Sequence, residues 1–258
     1  MAPIAVGALI VTLALPHQSR AADPTPNCDA PRDLIRLSHP LPHVFHKLAS
    51  GAAITIVAIG SSSTAGAGAS SPAASYPSRL ATELQQLFPS HSITVINRGV
   101  GGEEVKDMLK RFDSAVVAAK PDLVLWQLGT NSVIRDHPID DHGASIREGL
   151  KKIRAIGADV VLIDPQYAPK VIVKPGVETM IQLIAATAKR ENVDLFRRFD
   201  VMQHWYKHDR LDFKTFVSPD GLHMNDWSYA CLAKGLSLAI AEAAQRPVMS
   251  ASVRASPQ

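Results

Sequence analysis

Short apolar runs alternate with longer amphipathic stretches along most of the chain. The apolar runs are rich in β-branched or large aliphatic residues and stop at turn-forming residues, as is typical of strands buried on both faces. Five of these runs predict strands, at residues 54–59, 93–96, 123–128, 160–163 and 193–196. The amphipathic stretches predict helices at residues 78–87, 103–119, 144–156, 175–191 and 227–244.

Strands that alternate with helices imply right-handed βαβ crossovers and therefore a parallel sheet. The predicted fold is of the α/β class, a three-layer α/β/α sandwich with a five-stranded parallel sheet in the flavodoxin-like order 2-1-3-4-5. One domain of residues 52–246 contains all of these elements, and no internal repeat is visible. Residues 23–51, with several prolines and histidines, predict an N-terminal extension, and residues 247–258 predict a flexible tail.

The first 22 residues have the features of a secretory signal. Residues 4–15 (IAVGALIVTLAL) form a largely apolar run, followed by Pro16 and then by small residues up to Ala22. This run is too short to span a bilayer comfortably, although an uncleaved membrane anchor or a buried helix is the alternative interpretation. We predict a signal peptide at residues 1–22, export to the periplasm or the exterior, and no stable membrane insertion after cleavage.

The chain contains two cysteines, Cys28 and Cys231. Cys28 follows the predicted cleavage site, and Cys231 lies in the last predicted helix. In an oxidising compartment they can form one disulfide that joins the mature N-terminus to that helix. Two unrelated thiols are the alternative, and the sequence leaves both open.

Composition and charge exclude several classes of protein. Of the 258 residues, 46% are hydrophobic and 20% are charged, so the chain has enough apolar side chains for a core and is not a disordered polyelectrolyte. The 27 Lys and Arg residues against 24 Asp and Glu residues give a formal charge of only +3, spread along the chain. A nucleic-acid partner is therefore not indicated.

Ligands of open parallel sheets bind at the carboxyl ends of the strands, so candidate chemistry belongs to the loops that follow the strands. The first of these loops, residues 60–66 (GSSSTAG), is a Gly/Ser turn that can hold a hydroxyl at the rim of the sheet. A phosphate-binding P-loop is disfavoured because no Gly-Lys-Ser/Thr follows. A flexible serine-rich loop is the alternative.

Two further loops can present hydrogen-bond donors. Residues 97–102 (NRGVGG), after the second strand, have glycines whose backbone N–H groups can approach a ligand at the start of a helix. A dinucleotide site is disfavoured because the loop lacks the full GxGxxG and does not follow the first strand. After the third strand, Asn131 can donate its amide to a developing negative charge, although a lone Asn more often caps a turn.

Asp220 and His223 stand three residues apart across a glycine, just before the last predicted helix. At this spacing the carboxylate can orient the imidazole, as in a serine triad, whereas a surface turn with a solvated Asp is the alternative. In the order 2-1-3-4-5 the first strand lies between the second and the third, so their loops converge on one crevice. The combination supplies a nucleophile, a base, an orienting acid and oxyanion donors, which are the groups that acyl transfer requires.

These segments resemble the sequence blocks of the SGNH hydrolase family, the GDSL-type esterases and lipases, and the resemblance extends over about residues 54–244. The family's GDSxTxG block resembles residues 60–66, which implies that Ser62 is the nucleophile. Its DxxH block matches Asp220 and His223, which implies that His223 is the base and Asp220 the acid that orients it.

The resemblance also implies three oxyanion donors. The second block of the family resembles residues 97–102 and implies the backbone N–H of Gly102 as one donor. The GxND block resembles residues 129–132 and implies the side-chain amide of Asn131 as another, beside the backbone N–H of Ser62.

Two positions depart from the family pattern. The Asp of GDS is Ser61 here, and the Asp of GxND is Ser132. Neither position has a catalytic role in the family pattern, so the departures do not argue against activity. The run of serines also leaves Ser61 and Ser63 as alternative nucleophiles.

The implied activity is that of a serine-dependent carboxylester hydrolase that works through an acyl-serine intermediate without a cofactor or metal ion. With predicted export, it points to short acyl groups such as O-acetyl on saccharide or cell-envelope substrates. A lipase or lysophospholipase, an acyltransferase of the same fold, and a non-catalytic exported glycan-binding protein are the alternatives. The oligomeric state is left open.

Two other polar clusters favour a structural interpretation. His137, Asp140, Asp141 and His142 lack the tight spacing of a zinc motif and are typical of a loop that leads into a helix cap. Trp205, among several histidines and charged residues, can border a site as a sugar-stacking or acyl-packing surface, but packing in the core or at the surface is the preferred interpretation.

Overall fold

A computed structural model describes Cys28 and residues 30–246, which fold around one parallel β-sheet. Its strands are β1 (Ile54–Gly60), β2 (Ile93–Gly99), β3 (Leu123–Gln127), β4 (Asp159–Ile163) and β5 (Asp194–Phe196). Every neighbouring pair is parallel, and the order across the sheet is β2-β1-β3-β4-β5. The predicted fold class and strand order are therefore confirmed.

Helices cover the sheet in two groups. Within the described residues they are α1 (Arg32–Ile35), α2 (Pro42–Ser50), α3 (Ser62–Ala65), α4 (Tyr76–Leu87), α5 (Val105–Lys110), α6 (Phe112–Ala115), α7 (Thr130–Ile134), α8 (His142–Ala155), α9 (Pro169–Ile172), α10 (Val177–Glu191), α11 (Arg198–Lys207), α12 (Phe213–Phe216) and α13 (Asp226–Gln245). Short 3-10 turns lie at Pro72–Ala74 and Val117–Ala119. Helix α13 packs against α1, α2 and α4, whereas α8 packs against α5 and α10.

The stretch 103–119, predicted as one helix, is broken into α5, α6 and a 3-10 turn. Arg111 separates the first two pieces, and its φ of −109° and ψ of 9° lie outside the helical region. Its guanidinium donates to both carboxylate oxygens of Glu103 and to the carbonyl oxygen of Arg98. These contacts draw Arg111 back towards the loop before α5, so the helix ends although the amphipathic pattern continues.

Three aspartates at the amino edge of the sheet hold the N-terminal segment. Asp122 directly precedes β3, and Asp159 and Asp194 are the first residues of β4 and β5. All three are buried, and each accepts hydrogen bonds from residues 38–47. The donors are Ser38 N (2.6 Å) and His39 N (3.1 Å) for Asp194, Val44 N (2.9 Å) for Asp159, and His43 Nε2 (3.0 Å) for Asp122. Asp122 also forms an ion pair with Lys47, with 3.3 Å between Nζ and Oδ1.

The segment predicted as an N-terminal extension contributes α1 and α2, and its residues Leu37, Leu41 and Val44 belong to the same buried core as the sheet. The predicted signal peptide and the predicted tail lie outside the described residues. Among the described helices, none combines the length and the apolar character needed to cross a membrane. A side-chain hydrogen bond with Cys28, together with burial, raises the pKa of the Cys231 thiol. The fold therefore brings together the two cysteines for which the sequence left a disulfide and two separate thiols open.

Candidate active site

Ser62 lies at the carboxyl edge of the sheet, where it is the first residue of α3. The end of β2 passes very close to this turn, because a methyl group at Gly99 would lie only 2.1 Å from the backbone nitrogen of Ala65. Asn97 Nδ2 donates to the carbonyl oxygen of Thr64 at 2.8 Å, which ties the two segments together. This packing requires glycine at the end of β2 and fixes the turn that carries the serine.

Asp220 and His223 lie in a closed turn before α13. Val217 and Met224 form an antiparallel bridge on either side of the turn. The backbone N–H of Ser218 donates to the carbonyl oxygen of His223 at 2.8 Å. These hydrogen bonds close the turn and fix the backbone that carries the Asp220 carboxylate and the His223 imidazole.

Ser62, His223 and Asp220 form a continuous chain of hydrogen bonds. His223 Nε2 lies 2.9 Å from Ser62 Oγ, and His223 Nδ1 lies 2.5 Å from Asp220 Oδ2. Because an ionised carboxylate only accepts hydrogen bonds, Nδ1 carries the proton and Nε2 is left to accept from the serine hydroxyl.

The remaining oxygen of the carboxylate is also fully engaged. Asp220 Oδ1 accepts from Ser218 Oγ at 2.7 Å and from the backbone N–H groups of Leu222 and His223 at 2.9 Å each. Partial burial raises the pKa of Asp220, but the hydrogen bonds from Ser218, His223 and Leu222 outweigh this effect and hold the pKa well below its usual range. The carboxylate therefore stays ionised while it orients the imidazole.

The loop that follows α3 is tied to the first turn of α13. The backbone N–H and the hydroxyl of Ser70 both donate to the carboxylate of Asp226, at 2.7 and 2.5 Å. The hydroxyl of Tyr229 donates to the carbonyl oxygen of Ala67 at 2.6 Å. These bonds fix the segment that carries the serine relative to the segment that carries the imidazole.

The three predicted oxyanion donors lie on the loops after β1, β2 and β3. Gly102 has a φ of +80°, a conformation that favours glycine, and a methyl group on Gly101 would lie 3.9 Å from Ser62 Cβ. Within the described part of the chain, the N–H groups of Ser62 and Gly102 have no acceptor. Asn131 Nδ2 donates to the carbonyl oxygen of Glu103 at 2.7 Å, and its second N–H remains for a ligand.

Ser61, in place of the family's Asp, is bound to a buried glutamine. The hydroxyl and the backbone N–H of Ser61 donate to Gln127 Oε1 at 3.0 and 2.9 Å, and Thr64 Oγ1 donates to the same oxygen at 3.3 Å. Among the described residues, neither Ser61 nor Ser63 bonds to His223, and both serines are buried. Gln127 carries no motif and was not predicted as part of the site, although a glutamine at the end of an apolar strand is a signal of a polar role.

Ser132, in place of the second Asp, donates to a carboxylate from the neighbouring loop. Ser132 Oγ donates to Glu104 Oε2 at 2.8 Å, and Arg135 Nη1 and His137 Nδ1 each lie 2.8 Å from Glu104 Oε1. His142 Nε2 lies 2.7 Å from Ser132 Oγ. Partial burial raises the pKa of Glu104, but the hydrogen bonds from Arg135, Ser132 and His137 outweigh it and lower the pKa overall.

A second buried network joins α7 to the turn that carries the imidazole. Gln166 Oε1 accepts from Thr130 Oγ1 at 2.9 Å and from Arg198 Nη2 at 3.0 Å, and Gln166 Nε2 donates to the carbonyl oxygen of Leu222 at 3.2 Å. Arg198 is completely buried and donates through Nε to the carbonyl oxygen of Asp164. Burial raises the pKa of the Asp164 carboxyl to about 7. Gln166, Arg198 and Asp164 lie outside every motif found in the sequence, so this network was not predicted.

The clusters interpreted as structural have ordinary partners. Trp205 is buried, with its ring centroid 5.0 Å from that of Trp227 and 5.8 Å from that of Phe216, so the packing interpretation is confirmed. Asp140 and Asp141 are exposed. Across the described residues, no three His, Cys, Asp or Glu side chains converge as a metal site would require.

The parallel sheet of order 2-1-3-4-5, with Ser, His and Asp on its carboxyl-edge loops, places the protein in the class of SGNH-type hydrolase folds. A family model described as the non-GDSL lipase-like family matches residues 27–246, and the chain belongs to that family. The GDSL motif itself is absent, because Ser61 stands at its Asp position and Ser63 at its Leu position.

Solved structures with the same fold include esterases that act on acetylated polysaccharides. A two-domain esterase active on acetylated mannans, co-crystallised with mannopentaose, superposes with a TM-score of 0.67 and 18% identity over 82% of this chain and 56% of that chain. An acetylxylan esterase from Geobacillus stearothermophilus superposes with a TM-score of 0.61 and 21% identity over 72% of this chain and 94% of that chain. At these identities the likeness establishes the fold alone.

Two curated proteins are similar over part of the sequence. An acetylxylan esterase from Geobacillus stearothermophilus is 29% identical over 94 residues, which are 33% of this chain and 43% of that protein. An arylesterase from Vibrio mimicus is 30% identical over 95 residues, which are 37% of this chain and 46% of that protein. The chain thus matches less than half the length of either relative.

Proposed function

We propose that this protein is a serine carboxylesterase that removes short acyl groups, chiefly O-acetyl groups, from saccharide substrates. The observation that carries the proposal is the hydrogen-bonded chain Ser62–His223–Asp220 beside the glycine loop at the carboxyl edge of the sheet. Its geometry meets the requirement that nucleophile and base lie within hydrogen-bond reach while a third group orients the base.

In the proposed reaction, His223 Nε2 takes the proton of the Ser62 hydroxyl as Oγ attacks the ester carbonyl carbon. Asp220 stabilises the imidazolium that forms and keeps Nδ1 protonated. The tetrahedral intermediate then expels the alcohol, which takes the proton from Nε2, and an acyl-serine ester remains. A water molecule, deprotonated by the same imidazole, attacks this ester and releases the acid, and the proton returns to Ser62.

The negative charge of each tetrahedral intermediate develops on the former carbonyl oxygen. We assign its stabilisation to the backbone N–H groups of Ser62 and Gly102 and to the amide of Asn131. Such donors act without reorganisation when a fold holds them in place, and loss of one costs on the order of 10²–10³ in turnover in comparable sites.

The saccharide part of the proposal is supported by the relatives. An acetylxylan esterase is among the curated relatives, and the structural neighbours include esterases of acetylated mannan and acetylated xylan. Predicted export to the periplasm or the exterior, where extracellular glycans are found, is consistent with this substrate class. The arylesterase relative favours a site that also accepts simple aryl esters, which makes a chromogenic assay suitable.

The test is hydrolysis of p-nitrophenyl acetate, butyrate and octanoate by the wild-type protein, Ser62→Ala and Ser63→Ala. Ser63 is the matched control because it is the adjacent serine and its buried hydroxyl has no partner among the described residues. We expect turnover to be greatest with acetate, to vanish in Ser62→Ala and to persist in Ser63→Ala. A fluorophosphonate probe should label the wild-type protein at Ser62 only.

Other outcomes separate the alternatives. Turnover that rises with chain length favours a lipase, and transfer of acetyl to an added sugar in preference to water favours an acyltransferase. A folded protein with no activity above Ser62→Ala contradicts the proposal and leaves a transferase of narrow specificity or a glycan-binding role.

A further inference from the structure

Glu104 stands between the two segments that carry the proposed oxyanion donors. It follows Gly102 by two residues, and its side chain, 16% exposed, accepts from Ser132, the residue directly after Asn131. The same two segments meet at a second point, where Asn131 Nδ2 donates to the carbonyl oxygen of Glu103. The amide donor is therefore tied to the glycine loop through adjacent residues on both segments.

The directions of the hydrogen bonds in this cluster follow from its chemistry. The Glu104 carboxylate only accepts, so the Ser132 hydroxyl donates to it, and His142 Nε2 lies 2.7 Å from the same hydroxyl oxygen. Arg135 and His137 hold the other carboxylate oxygen. The glutamate is thus fixed on one side by two cationic or polar donors and on the other by the hydroxyl that it orients.

Glu104 also supports the start of α5. Its side chain accepts from the backbone N–H of Asp107, and Asp107 Oδ2 accepts from the backbone N–H of Glu104 at 3.2 Å. This capping box fixes the backbone just after the glycine loop, and a cap of this kind also accounts for a glutamate at this position on structural grounds alone.

We propose that Glu104, acting through Ser132, is a positioning residue for the oxyanion site. It holds the amide of Asn131 where this amide and the backbone N–H of Gly102 can donate to the same oxyanion. This inference rests on the proposed function. The carboxylate that the GxND block carries next to its Asn is supplied here across the loop, with a serine as the intermediate. Misplacement of a catalytic group by about 1 Å can cost on the order of 10² in rate, so a link of this kind has a measurable effect on turnover.

The test is a double-mutant cycle with p-nitrophenyl acetate, using wild-type protein, Glu104→Gln, Asn131→Ala and the double variant. We expect Glu104→Gln to lower kcat by roughly tenfold with KM changed less than about twofold, since the lost interaction acts in the transition state. In the Asn131→Ala background the same change should lower kcat by less than about twofold, because the group that Glu104 positions is already gone.

Two further variants keep the test decisive. Glu191→Gln is the matched control, since the Glu191 side chain is 18% exposed and pairs with Arg154 at 2.7 Å far from this loop, and it should leave kcat unchanged. Ser132→Ala breaks the same link while leaving the bonds of Glu104 to Arg135 and His137, so it should reproduce the loss of kcat if Glu104→Gln folds poorly.

A purely structural role predicts a different result. Glu104→Gln would then lower the melting temperature, and it would lower kcat by the same factor in the wild-type and the Asn131→Ala backgrounds. This outcome overturns the inference but leaves the proposed esterase intact. A wild-type protein without Ser62-dependent turnover overturns both.

Discussion

The two carboxylate oxygens of Asp220 have different partners and therefore different tasks. Oδ1 accepts three hydrogen bonds that shape the turn, whereas Oδ2 faces only the imidazole of His223. In the proposed mechanism, the shape of the turn and the orientation of the base thus depend on separate atoms of one side chain. A substitution that keeps one oxygen and changes the other can separate the two effects.

Asp220→Asn is predicted to keep the fold and abolish most of the activity. The amide oxygen can still accept the three bonds of Oδ1, but the NH₂ group then faces His223 Nδ1 and favours the tautomer whose Nε2 carries hydrogen and cannot act as a base. In a serine protease triad this change lowers kcat by about 10⁴, and we expect a loss of that order here. Steady-state hydrolysis of p-nitrophenyl acetate and the melting temperature are the measurements.

Asp220→Ala is the comparison for that prediction. It removes the acceptor of all three donors, so it should lower both kcat and the melting temperature. Equal melting temperatures for the Ala and Asn variants would contradict the separate roles assigned to the two oxygens.

At this scale the sequence predicted the residues that carry motifs and missed those that support them. Ser62, Asp220 and His223 could be placed because short spacings and strand ends identify them. Gln127 and Glu104 contact their partners from about 30 to 66 positions away, so no local pattern indicates the contact. Such residues become visible only when the topology brings separate loops together.

Helix α8 lies close to β3 because a glycine faces a tryptophan. A methyl group at Gly149 would lie 2.2 Å from Trp126 Cη2 and 2.5 Å from Cζ3, and the indole is completely buried. The Trp126 ring is also held by Met108, whose sulfur accepts its N–H at 3.2 Å, and by the ring of Phe112. The indole therefore has little room to move away from the helix.

Gly149→Ala is predicted to destabilise the protein by about 1–3 kcal/mol, the usual cost of adding a methyl group to a filled core. Gly143→Ala, in the same helix, is the matched control, because its methyl group would make ordinary contacts at 3.4 Å with Arg147 and 3.6 Å with Thr187. The control should be neutral or stabilising by up to about 1 kcal/mol, since alanine favours helix. Urea unfolding of both variants measures the difference, and equal midpoints would contradict the packing argument.

The elements themselves were predicted best where the apolar pattern is long. The five strands and the helices α4, α8, α10 and α13 agree with the sequence analysis to within a few residues. The helices that were not predicted lie in segments without a long apolar repeat; they are α1, α2, α3, α7, α9, α11 and α12. The break at Arg111 was not predicted either, because it results from a contact with Glu103 rather than from the local pattern.

In the whole molecule, the N-terminal segment closes the amino edge of the sheet. Without it, the buried aspartates at the starts of β3, β4 and β5 would lose their donors from residues 38–47. The buried side chains of Leu37, Leu41 and Val44 would also leave the core. The domain boundary was predicted at residue 52 because the prolines and histidines of residues 23–51 are typical of an extension. Composition alone does not indicate these long-range contacts.

A protein of residues 52–246 is therefore predicted to be unstable, whereas residues 28–246 should fold. Burial of a large aliphatic side chain contributes about 2 kcal/mol, so the three lost residues alone approach the 5–15 kcal/mol that typically stabilises a domain. Circular dichroism and urea unfolding of the two proteins test this expectation. Cooperative unfolding of both at the same urea concentration would instead support the boundary at residue 52.

The aspartates and the loops of the proposed active site lie at opposite ends of the same strands. In a lineage that adapts to a warmer habitat, substitutions near the buried aspartates can therefore raise stability while the loops at the other edge keep their specificity for the same ester. A lineage that adopts a new ester can remodel the loops without loosening the far edge. The parallel sheet thus separates two kinds of evolutionary change along its own length.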